Sequence, residues 1–469
     1  MSRDQHDVII IGGGPAGSTA ASLLARMGHD VILFEKEKFP REHVGESLLP
    51  FCHALFADLG VLPELERRFV RKPGVRFIDR HGQTATTWCF GHVIEEDAYL
   101  SFQVIRSEFD ELLLNRSRQL GAEVREQTKV KEVDVTTAPN RVRVVTVDTA
   151  GHERAHHARF LIDASGRDAV LGTKNGWRKP RAELDRTAIW SHWGGVTMQA
   201  GLEEGLSLIC YVGEEKKGWI WVFPLGANRI TAGFVAQNAY LKDARKRWEA
   251  QGSTDWKQDL LMDELRQSDV VRAMLQGAKQ ALPVQVNGNY SYEVTRHYGS
   301  NYAMIGDARG FIDPIFSSGV FLSMKTAFLV APAVHRQLTE PINGDNEELA
   351  EAYRRVTGAY GFVHRMIRLF YDPHAVTWAE AGASSMAHKQ HESALAAGHY
   401  MLSGDFFEHH ERYNRMFGLL EDPKKFRNYQ RIVVAQPKLI DSSCHVPWDV
   451  AFGGMADMDA QREKAPASA

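Results

Sequence analysis

The chain has few cysteines and almost no net charge. Its four cysteines, Cys52, Cys89, Cys210 and Cys444, lie far apart and form no CxxC pair. Their spacing therefore indicates neither a zinc ribbon nor a disulfide ladder, and it fits a reducing compartment. Lysine and arginine number 56, and aspartate and glutamate 59, which leaves a net charge of −3. A charge this small gives no electrostatic reason to expect nucleic acid or an anionic membrane as the main partner.

Long apolar runs are also missing. The run 8–11 is too short for the core of a signal peptide, and the run 319–334 is interrupted by Lys325 and falls short of the ~20 apolar residues that span a bilayer. The 469 residues, of which 44% are hydrophobic and 25% charged, are typical of a globular protein with two or three packed units. We therefore expect a folded cytoplasmic protein with no membrane span.

The first 35 residues follow the order strand, glycine turn, helix and strand. The turn carries Gly12, Gly14 and Gly17, Pro15 falls in the first turn of the helix, and Glu35 ends the second strand. The glycines permit a tight turn and a close approach of backbone to a pyrophosphate, the helix N-terminus favours an anion, and the acid can accept from ribose hydroxyls. An ordinary turn is the alternative, but this context favours a dinucleotide-binding βαβ unit.

Two later segments each end a predicted strand with small residues beside an acid, namely Asp163-Ala-Ser-Gly166 and Gly306-Asp307. Small residues let the backbone approach a ribityl-diphosphate chain, and Asp307 can accept its hydroxyl protons. The alternative for each segment alone is an ordinary turn between strand and helix. Together with the N-terminal turn they indicate FAD. Because the chain has one such glycine fingerprint, it offers no obvious second Rossmann domain for a nicotinamide.

The predicted fold class is α/β, with a Rossmann-type FAD-binding domain interleaved with an antiparallel-sheet substrate domain. Short runs of Ile, Trp, Val and Phe between residues 186 and 235 predict that sheet, and the last part of the chain has helical periodicity. The predicted FAD-binding domain comprises residues 1–80, 100–180 and 295–340, the substrate domain 81–99 and 181–294, and the mainly helical C-terminal region 341–469.

The three FAD segments together resemble the para-hydroxybenzoate-hydroxylase-type flavoproteins, whose fold is shared by hydroxylases, geranylgeranyl reductases and flavin-dependent halogenases. The resemblance spans residues 1–370. Three further segments resemble those of the halogenases. Residues 39–50 (FPREHVGESLLP) resemble the flavin strap, 219–224 (WIWVFP) the Trp-x-Trp-x-Ile-Pro signature with Phe223 in place of isoleucine, and 311–320 (FIDPIFSSGV) the chloride loop.

The resemblance implies how the oxidant is kept from the substrate. Trp219 and Trp221 would form a wall between the flavin and the substrate chamber, although tryptophans that alternate on a strand are, taken alone, more often simply core. Backbone N–H groups of Ser317, Ser318 and Gly319 would bind the halide. A β-branched residue in place of Gly319 is expected to do more harm than Ser318→Ala, because the added Cβ and the altered φ/ψ preference would crowd or reorient these N–H groups.

In this family a lysine on the strand after the strap receives the hypohalous acid, either as a chloramine or by orienting it with a hydrogen bond. The matching residue is Lys72, in a Lys-x-Gly pattern ahead of a strand. The adjacent Arg71 is a second basic residue that could be mistaken for it. A chloramine would need a neutral amine, and hence a pKa that burial has lowered.

The fingerprint and the resemblance together predict the residues that bind FAD. They are Gly12, Gly14, Pro15, Ala16, Gly17, Glu35, Lys36, Arg41, Gly45, Glu46, Ser47, Gln103, Arg106, Asp163, Ala164, Gly166, Gly306, Asp307 and Pro314. Arg106 is expected to pair with the diphosphate. No metal site is expected, because the late histidines His388, His391, His399, His409 and His410 come with no indicated third ligand.

The sequence is best explained by a halogenase that uses reduced FAD, O2 and chloride or bromide on an electron-rich aromatic in secondary metabolism, such as antibiotic biosynthesis. Phe316 stands where tryptophan halogenases have glutamate, which favours a phenol or pyrrole, free or tethered to an acyl-carrier protein. A separate flavin reductase is the expected partner. The alternatives are a hydroxylase or geranylgeranyl-reductase-like oxidoreductase of the same fold, and a flavin-holding sensor without turnover.

Overall fold

A computed structural model describes residues 5–79, 85–138, 141–181, 184–199, 201–212, 218–288, 291–340, 346–372, 374–375, 398–422, 424, 444, 446–453 and 455. The strands are β1 (Gln5–Ile11), β2 (Val31–Phe34), β3 (Val70–Lys72), β4 (Gly74–Ile78), β5 (Ala85–Cys89), β6 (Ser101–Gln103), β7 (Glu123–Arg125), β8 (Thr128–Ala138), β9 (Arg141–Asp148), β10 (Glu153–Asp163), β11 (Arg178–Pro180), β12 (Arg186–Gly194), β13 (Ser207–Tyr211), β14 (Trp219–Gly226), β15 (Arg229–Gln237), β16 (Lys279–Gln280), β17 (Gln285–Gly288), β18 (Tyr292–Val294), β19 (Tyr302–Met304) and β20 (Gly310–Phe311). The helices are α1 (Pro15–Arg26), α2 (His53–Leu59), α3 (Leu62–Arg68), α4 (Arg106–Gln119), α5 (Val170–Lys174), α6 (Asn238–Ala250), α7 (Trp256–Gln267), α8 (Asp269–Met274), α9 (Gly319–Thr339), α10 (Glu347–Tyr371), α11 (Phe406–Leu420) and α12 (Trp448–Phe452).

The first sheet contains seven strands in the order β7-β2-β1-β10-β9-β8, with β19 also paired to β10. The strands β1, β2 and β19 run parallel to their neighbours in the centre of this sheet, as their continuous apolar runs require. The register pairs Ile11 with Asp163 and Asp163 with Met304. The three predicted FAD segments therefore leave the sheet side by side, at the carboxyl ends of adjacent strands.

The second sheet has eight strands in the order β16-β12-β15-β14-β13-β4-β5, with β17 also paired to β12. The pairs β12–β15, β15–β14 and β14–β13 are antiparallel, so the antiparallel sheet predicted between residues 186 and 235 is confirmed. Strand β4 pairs with β13 and β5 in this sheet, although residues 74–78 fall inside the predicted FAD-binding domain. The α/β fold class with a helical C-terminal region is confirmed.

The C-terminal helices α10 and α11 pack against each other through Phe362, whose ring contacts Phe406, Tyr413 and Phe417. Helix α10 ends at Tyr371, and Gly404, ahead of α11, has a φ of 119°. No helix among the residues with a described structure is long and apolar enough to cross a membrane.

Two of the four cysteines form a disulfide, contrary to what their spacing indicated. Cys89 at the end of β5 is bonded to Cys444, 355 residues later. The pair exists because the C-terminal segment packs on β3, where Val446, Phe452 and Met455 surround Val70. Such a contact between distant parts of the chain leaves no local signature in the sequence. Cys52 and Cys210 are buried free thiols.

Candidate active site

A cavity of about 520 Å³ lies between the carboxyl ends of strands of the first sheet and the strands β12 and β14 of the second. Its nucleotide end comprises Gly12, Gly14, Glu35 and Ala164. Its tryptophan end comprises Trp190, Trp219, Trp221 and Phe223. The predicted residues that line it are Gly12, Gly14, Pro15, Ala16, Glu35, Lys36, Arg41, Gly45, Glu46, Ser47, Arg106, Ala164, Gly166, Trp219, Trp221, Asp307, Pro314, Ser317 and Gly319.

The nucleotide end is built from backbone in close contact. A Cβ atom on Gly12 would lie 2.4 Å from the Ala164 carbonyl oxygen, and one on Gly17 would lie 1.9 Å from the Gly12 carbonyl oxygen. At Gly14, the residue that caps α1, the added atom would lie 3.7 Å from the Arg41 guanidinium. The chain therefore presents a helix N-terminus and an arginine to this part of the cavity, a donor set that fits the pyrophosphate of FAD.

Glu35 shapes the same end of the cavity from the second strand. Its two carboxylate oxygens accept from the backbone N–H groups of Gly13, at 2.7 Å, and Glu37, at 2.9 Å. Each oxygen keeps a lone pair for a further donor. The carboxylate can therefore order the glycine turn and still accept from a ribose hydroxyl.

Arg106 holds the flavin strap rather than standing free for a diphosphate. Its guanidinium makes a two-pronged ion pair with Asp110, with both N···O distances 2.9 Å, and it donates to the Val44 carbonyl at 2.5 Å. Arg41 reaches the same carboxylate at 3.2 Å. Burial raises the pKa of Asp110, but Arg106 and Arg41 outweigh it and hold that pKa below its usual value. The i,i+4 spacing of Arg106 and Asp110 is the sequence signal for this pair.

The strap is also attached to the second sheet. Glu46 is buried, and one of its oxygens lies 2.5 Å from Nε2 of His192 on β12. Ser47 lies 3.0 Å from Ser207 on β13, and Gln103 donates to the same Ser207 hydroxyl at 2.7 Å. Gln103 therefore stands behind the strap and does not line the cavity. Sequence reasoning missed His192, because nothing in the local pattern distinguishes it from a core residue.

Asp163 and Asp307 differ in what they contact. Asp163 is buried and accepts from the backbone N–H groups of Ser165, at 3.1 Å, and Leu171, at 2.8 Å, so it orders its own turn and does not line the cavity. Asp307 lines the cavity. Burial raises the pKa of Asp307 to about 6, against the opposing effect of Arg106 and Arg167. Gly306 has a φ of 58°, which the chain tolerates because it is glycine.

The paired tryptophans lie on one face of β14, as their i,i+2 spacing requires. Trp219 and Trp221 are 2% and 3% exposed, and their ring centroids are 5.4 Å apart. The Trp221 indole packs against Gly233, where a Cβ atom would come within 2.3 Å of the ring. The indole N–H of Trp219 donates to the Tyr371 hydroxyl at 2.8 Å. Both rings are therefore rigidly held at the cavity wall.

The predicted halide loop leads into α9, which begins at Gly319. The left-handed residue of this loop is Ser317, with a φ of 54°. Gly319 has no positive φ, and a Cβ atom there would meet no described atom within 4 Å. The expectation that a Cβ atom at Gly319 would crowd the loop is therefore wrong, as far as the described residues go. Ser318 is 1% exposed, lies behind the lining, and has no hydrogen-bond partner for its hydroxyl among the described residues.

Lys72 is the last residue of β3 and is 2% exposed. Its ammonium group donates to the Leu48 carbonyl at 2.8 Å and lies 5.4 Å from the centroid of the Phe90 ring. Burial lowers the pKa of Lys72 to about 7. It does not line the cavity described above. Arg71, its neighbour in sequence, pairs with Glu66 and lies over the Phe102 ring.

The histidines give no metal centre in the described part of the chain, where no cluster of three candidate ligands occurs. His399 is buried and packs against Trp88 and His92, and His409 pairs with Asp405. His388 and His391 lie outside the described residues.

Comparison with known proteins places the chain among flavoproteins. Residues 5–357 match a family described as FAD binding domain. Two flavin-dependent halogenases of Armillaria mellea are similar to it. One is 33% identical over 70% of this chain and 64% of its own length, and the other is 30% identical over 77% of this chain and 72% of its own length.

The names of two other relatives state a substrate. A 1H-pyrrole-2-carbonyl-[peptidyl-carrier protein] chlorinase of Pseudomonas fluorescens is 28% identical over 70% of this chain and 75% of its own length. A tryptophan 2-halogenase of Chondromyces crocatus is 32% identical over 74% of this chain and 64% of its own length. Among solved structures, a myxobacterial chondrochloren halogenase superposes with a TM-score of 0.71 at 29% identity, covering 86% of this chain and 90% of that one.

Proposed function

The chain belongs to the flavin-dependent halogenases, and on this basis we propose that it halogenates an electron-rich aromatic ring, a phenol or a pyrrole. When bound, reduced FAD supplies the activation of O2 that oxidises chloride or bromide. The net reaction converts reduced FAD, O2, halide and an aromatic C–H into FAD, a carbon–halogen bond, water and hydroxide. No further oxidant is required.

The observation that carries the proposal is the burial of Lys72. An ammonium group is costly to bury without a counter-ion, and no carboxylate pairs with Lys72 among the residues that the structure describes. With a pKa of about 7, a large fraction of this amine is neutral near neutral pH. Such an amine can attack the halogen of a hypohalous acid, and in its protonated form it can donate a hydrogen bond to the same oxidant. A flavin hydroxylase has no use for either.

The tryptophan end supports the same proposal. Trp219 and Trp221 close this end of the cavity with two rigid apolar rings. We propose that they keep the aromatic substrate away from the flavin, so that halide rather than substrate is oxidised. Backbone N–H groups of Ser317 to Gly319 are proposed to hold the halide where α9 begins.

The proposed reductant supply is a separate flavin reductase. The glycine fingerprint at residues 12–17 is accounted for by the FAD cradle, and the sequence offers no second fingerprint for a nicotinamide. Purified protein should therefore reduce bound FAD only slowly with NADH or NADPH, and a reductase should restore turnover. Fast flavin bleaching by NADPH alone would favour the hydroxylase alternative.

The substrate class rests on Phe316 and on the relatives. Phe316 is buried and packs edge-on against Phe370, and it offers no carboxylate at the position where tryptophan halogenases carry glutamate. We therefore propose a phenol or a pyrrole, free or tethered to a carrier protein, as in the name of the Pseudomonas fluorescens relative. Because another relative is named as a tryptophan 2-halogenase, free tryptophan is the substrate against which this proposal is tested.

The test is mass spectrometry of products from the protein, FAD, a flavin reductase, NADH, O2 and bromide. The substrate panel contains phenols, pyrrole-2-carboxylate, carrier-tethered forms of both, and tryptophan. We expect a bromine isotope pattern on a phenol or pyrrole and none on tryptophan. A hydroxylated product formed equally well without halide would contradict the proposal, and brominated tryptophan would overturn the substrate class.

A further inference from the structure

The tryptophan wall and the halide loop share a partner that belongs to neither. The hydroxyl of Tyr371 accepts from the Trp219 indole N–H at 2.8 Å and donates to the Asp313 carboxylate at 2.8 Å. Tyr371 is the last residue of α10 and lies beyond the residues that match the FAD-binding family. A helix of the C-terminal region therefore links two elements of the site that are separated by more than ninety residues in sequence.

Asp313 carries this link into the loop. Its second oxygen accepts from the backbone N–H of Ile315 at 3.1 Å and so caps the short turn Pro314–Phe316. That turn ends at Ser317, the residue held in the left-handed conformation. The position of the Asp313 carboxylate thus sets where the following N–H groups point.

The direction of both hydrogen bonds is fixed by chemistry. Burial, with the nearby Asp313 carboxylate adding to it, raises the pKa of Tyr371 well above its usual value, so the phenol stays protonated. An indole N–H can only donate and an ionised carboxylate can only accept. One hydroxyl can satisfy both partners at once, and the Arg186 guanidinium, 3.4 Å from the centre of the tyrosine ring, holds that ring in place.

We propose that Tyr371 is a positioning residue for halogenation, whose hydroxyl fixes the Trp219 wall relative to the halide loop through Asp313. The proposal rests on the proposed function, because it assigns the wall and the loop their halogenase roles. With the link intact, oxidant formed at the loop meets a closed wall. Without it, the indole and the carboxylate lose a shared partner, and the oxidant is lost to water.

The variant Tyr371→Phe removes only the hydroxyl. The matched control is Tyr353→Phe, which removes a buried tyrosine hydroxyl from the same helix, where it donates to the Met304 carbonyl at 2.7 Å away from the wall. The readout is the ratio of halogenated product to O2 consumed, measured with chemically reduced FAD. We expect this ratio to fall about tenfold in Tyr371→Phe, with hydrogen peroxide rising to match, and to change less than about twofold in the control. An unchanged ratio in Tyr371→Phe would overturn the proposal.

A second measurement does not depend on activity. Hydrogen–deuterium exchange of the FAD-free protein should show faster exchange in peptides that cover residues 313–319 in Tyr371→Phe, and no change there in Tyr353→Phe. Equal exchange in wild type and Tyr371→Phe would show that the hydroxyl does not hold the loop. If the wild type yields no halogenated product at all, the proposed function fails, whereas this exchange comparison still tests the link.

A double-mutant cycle distinguishes the proposed link from a general packing defect caused by Tyr371→Phe. Trp219→Phe keeps an apolar ring and removes the indole N–H. If Tyr371 acts through Trp219, the ratio of halogenated product to O2 consumed should fall little further in the double variant than in either single variant. Multiplicative losses would mean that the two residues act independently, and would overturn the link.

Discussion

At the nucleotide end of the cavity, glycine lets backbone approach backbone, both within the turn, where Gly17 meets the Gly12 carbonyl, and across to the Ala164 carbonyl beside Gly12. At the tryptophan end, Trp219 is held by a hydroxyl 152 residues away. The first arrangement needs glycine at set positions and leaves a recognisable spacing. The second needs particular side chains from distant segments, and their meeting leaves no recognisable spacing in the sequence. The two ends should therefore respond differently to mutation, in FAD affinity at one end and in the fate of the oxidant at the other.

The largest effect is expected from Gly17→Ala at the nucleotide end. The added methyl group would overlap the Gly12 carbonyl oxygen, so the turn that receives the pyrophosphate must open. We expect FAD affinity, measured by fluorescence titration, to fall about 100-fold or more. Gly361→Ala is the matched control, because the same atom on α10 would lie more than 4 Å from every atom in the part of the chain that the structure describes. Normal FAD affinity in Gly17→Ala would show that the turn is not a rigid cradle.

Lys72→Met tests the cost of the buried amine through the pH dependence of stability. The folded pKa of Lys72 is about 7 and the unfolded value is near 10.4. Between these values the unfolded chain binds more protons, so the stability of the wild type rises with pH by up to about 1.4 kcal/mol per pH unit from this group.

Methionine does not titrate, so the gain in unfolding free energy from Lys72→Met should be largest at pH 7 and vanish towards pH 10. Urea unfolding of both proteins across this range measures the difference. A gain that does not depend on pH would mean that Lys72 is not buried as an amine.

Cys444→Ser should lower the stability of the protein through a change distant from both ends of the cavity. Losing the bond to Cys89 is expected to lower the unfolding free energy by about 2–4 kcal/mol and to leave FAD affinity unchanged. Reductant should lower the stability of the wild type by the same amount and leave the variant unaffected. Wild type and variant of equal stability without reductant would contradict the disulfide.

The smallest effect is expected from Ser318→Ala. The Ser318 hydroxyl is buried, has no partner among the described residues and does not line the cavity. Its removal should change the chloride dependence of product formation less than about threefold. A shift of tenfold or more would mean that the hydroxyl itself binds the halide, and that backbone geometry does not carry the site.

The same comparison explains what the sequence could predict. The βαβ unit, the three FAD segments and the antiparallel sheet follow from strand periodicity and from small residues at strand ends, which act within a few residues. The Glu46–His192 pair, the Tyr371 link and the Cys89–Cys444 bond arise where distant segments pack, and no periodicity encodes such contacts. The error at Gly319 has a related cause, because a Ser-Ser-Gly turn can place its left-handed residue at more than one position, and here that residue is Ser317.

The central claim is that Lys72 handles the oxidant and the nucleotide end does not depend on it. The most direct test is a single turnover with chemically reduced FAD, O2, bromide and a phenol that the wild type accepts, comparing wild type with Lys72→Met at matched FAD occupancy. We predict equal O2 consumption by both proteins, brominated phenol from the wild type, and about 100-fold less from the variant. Equal bromination by Lys72→Met, or hydroxylated phenol from the wild type, would contradict the account.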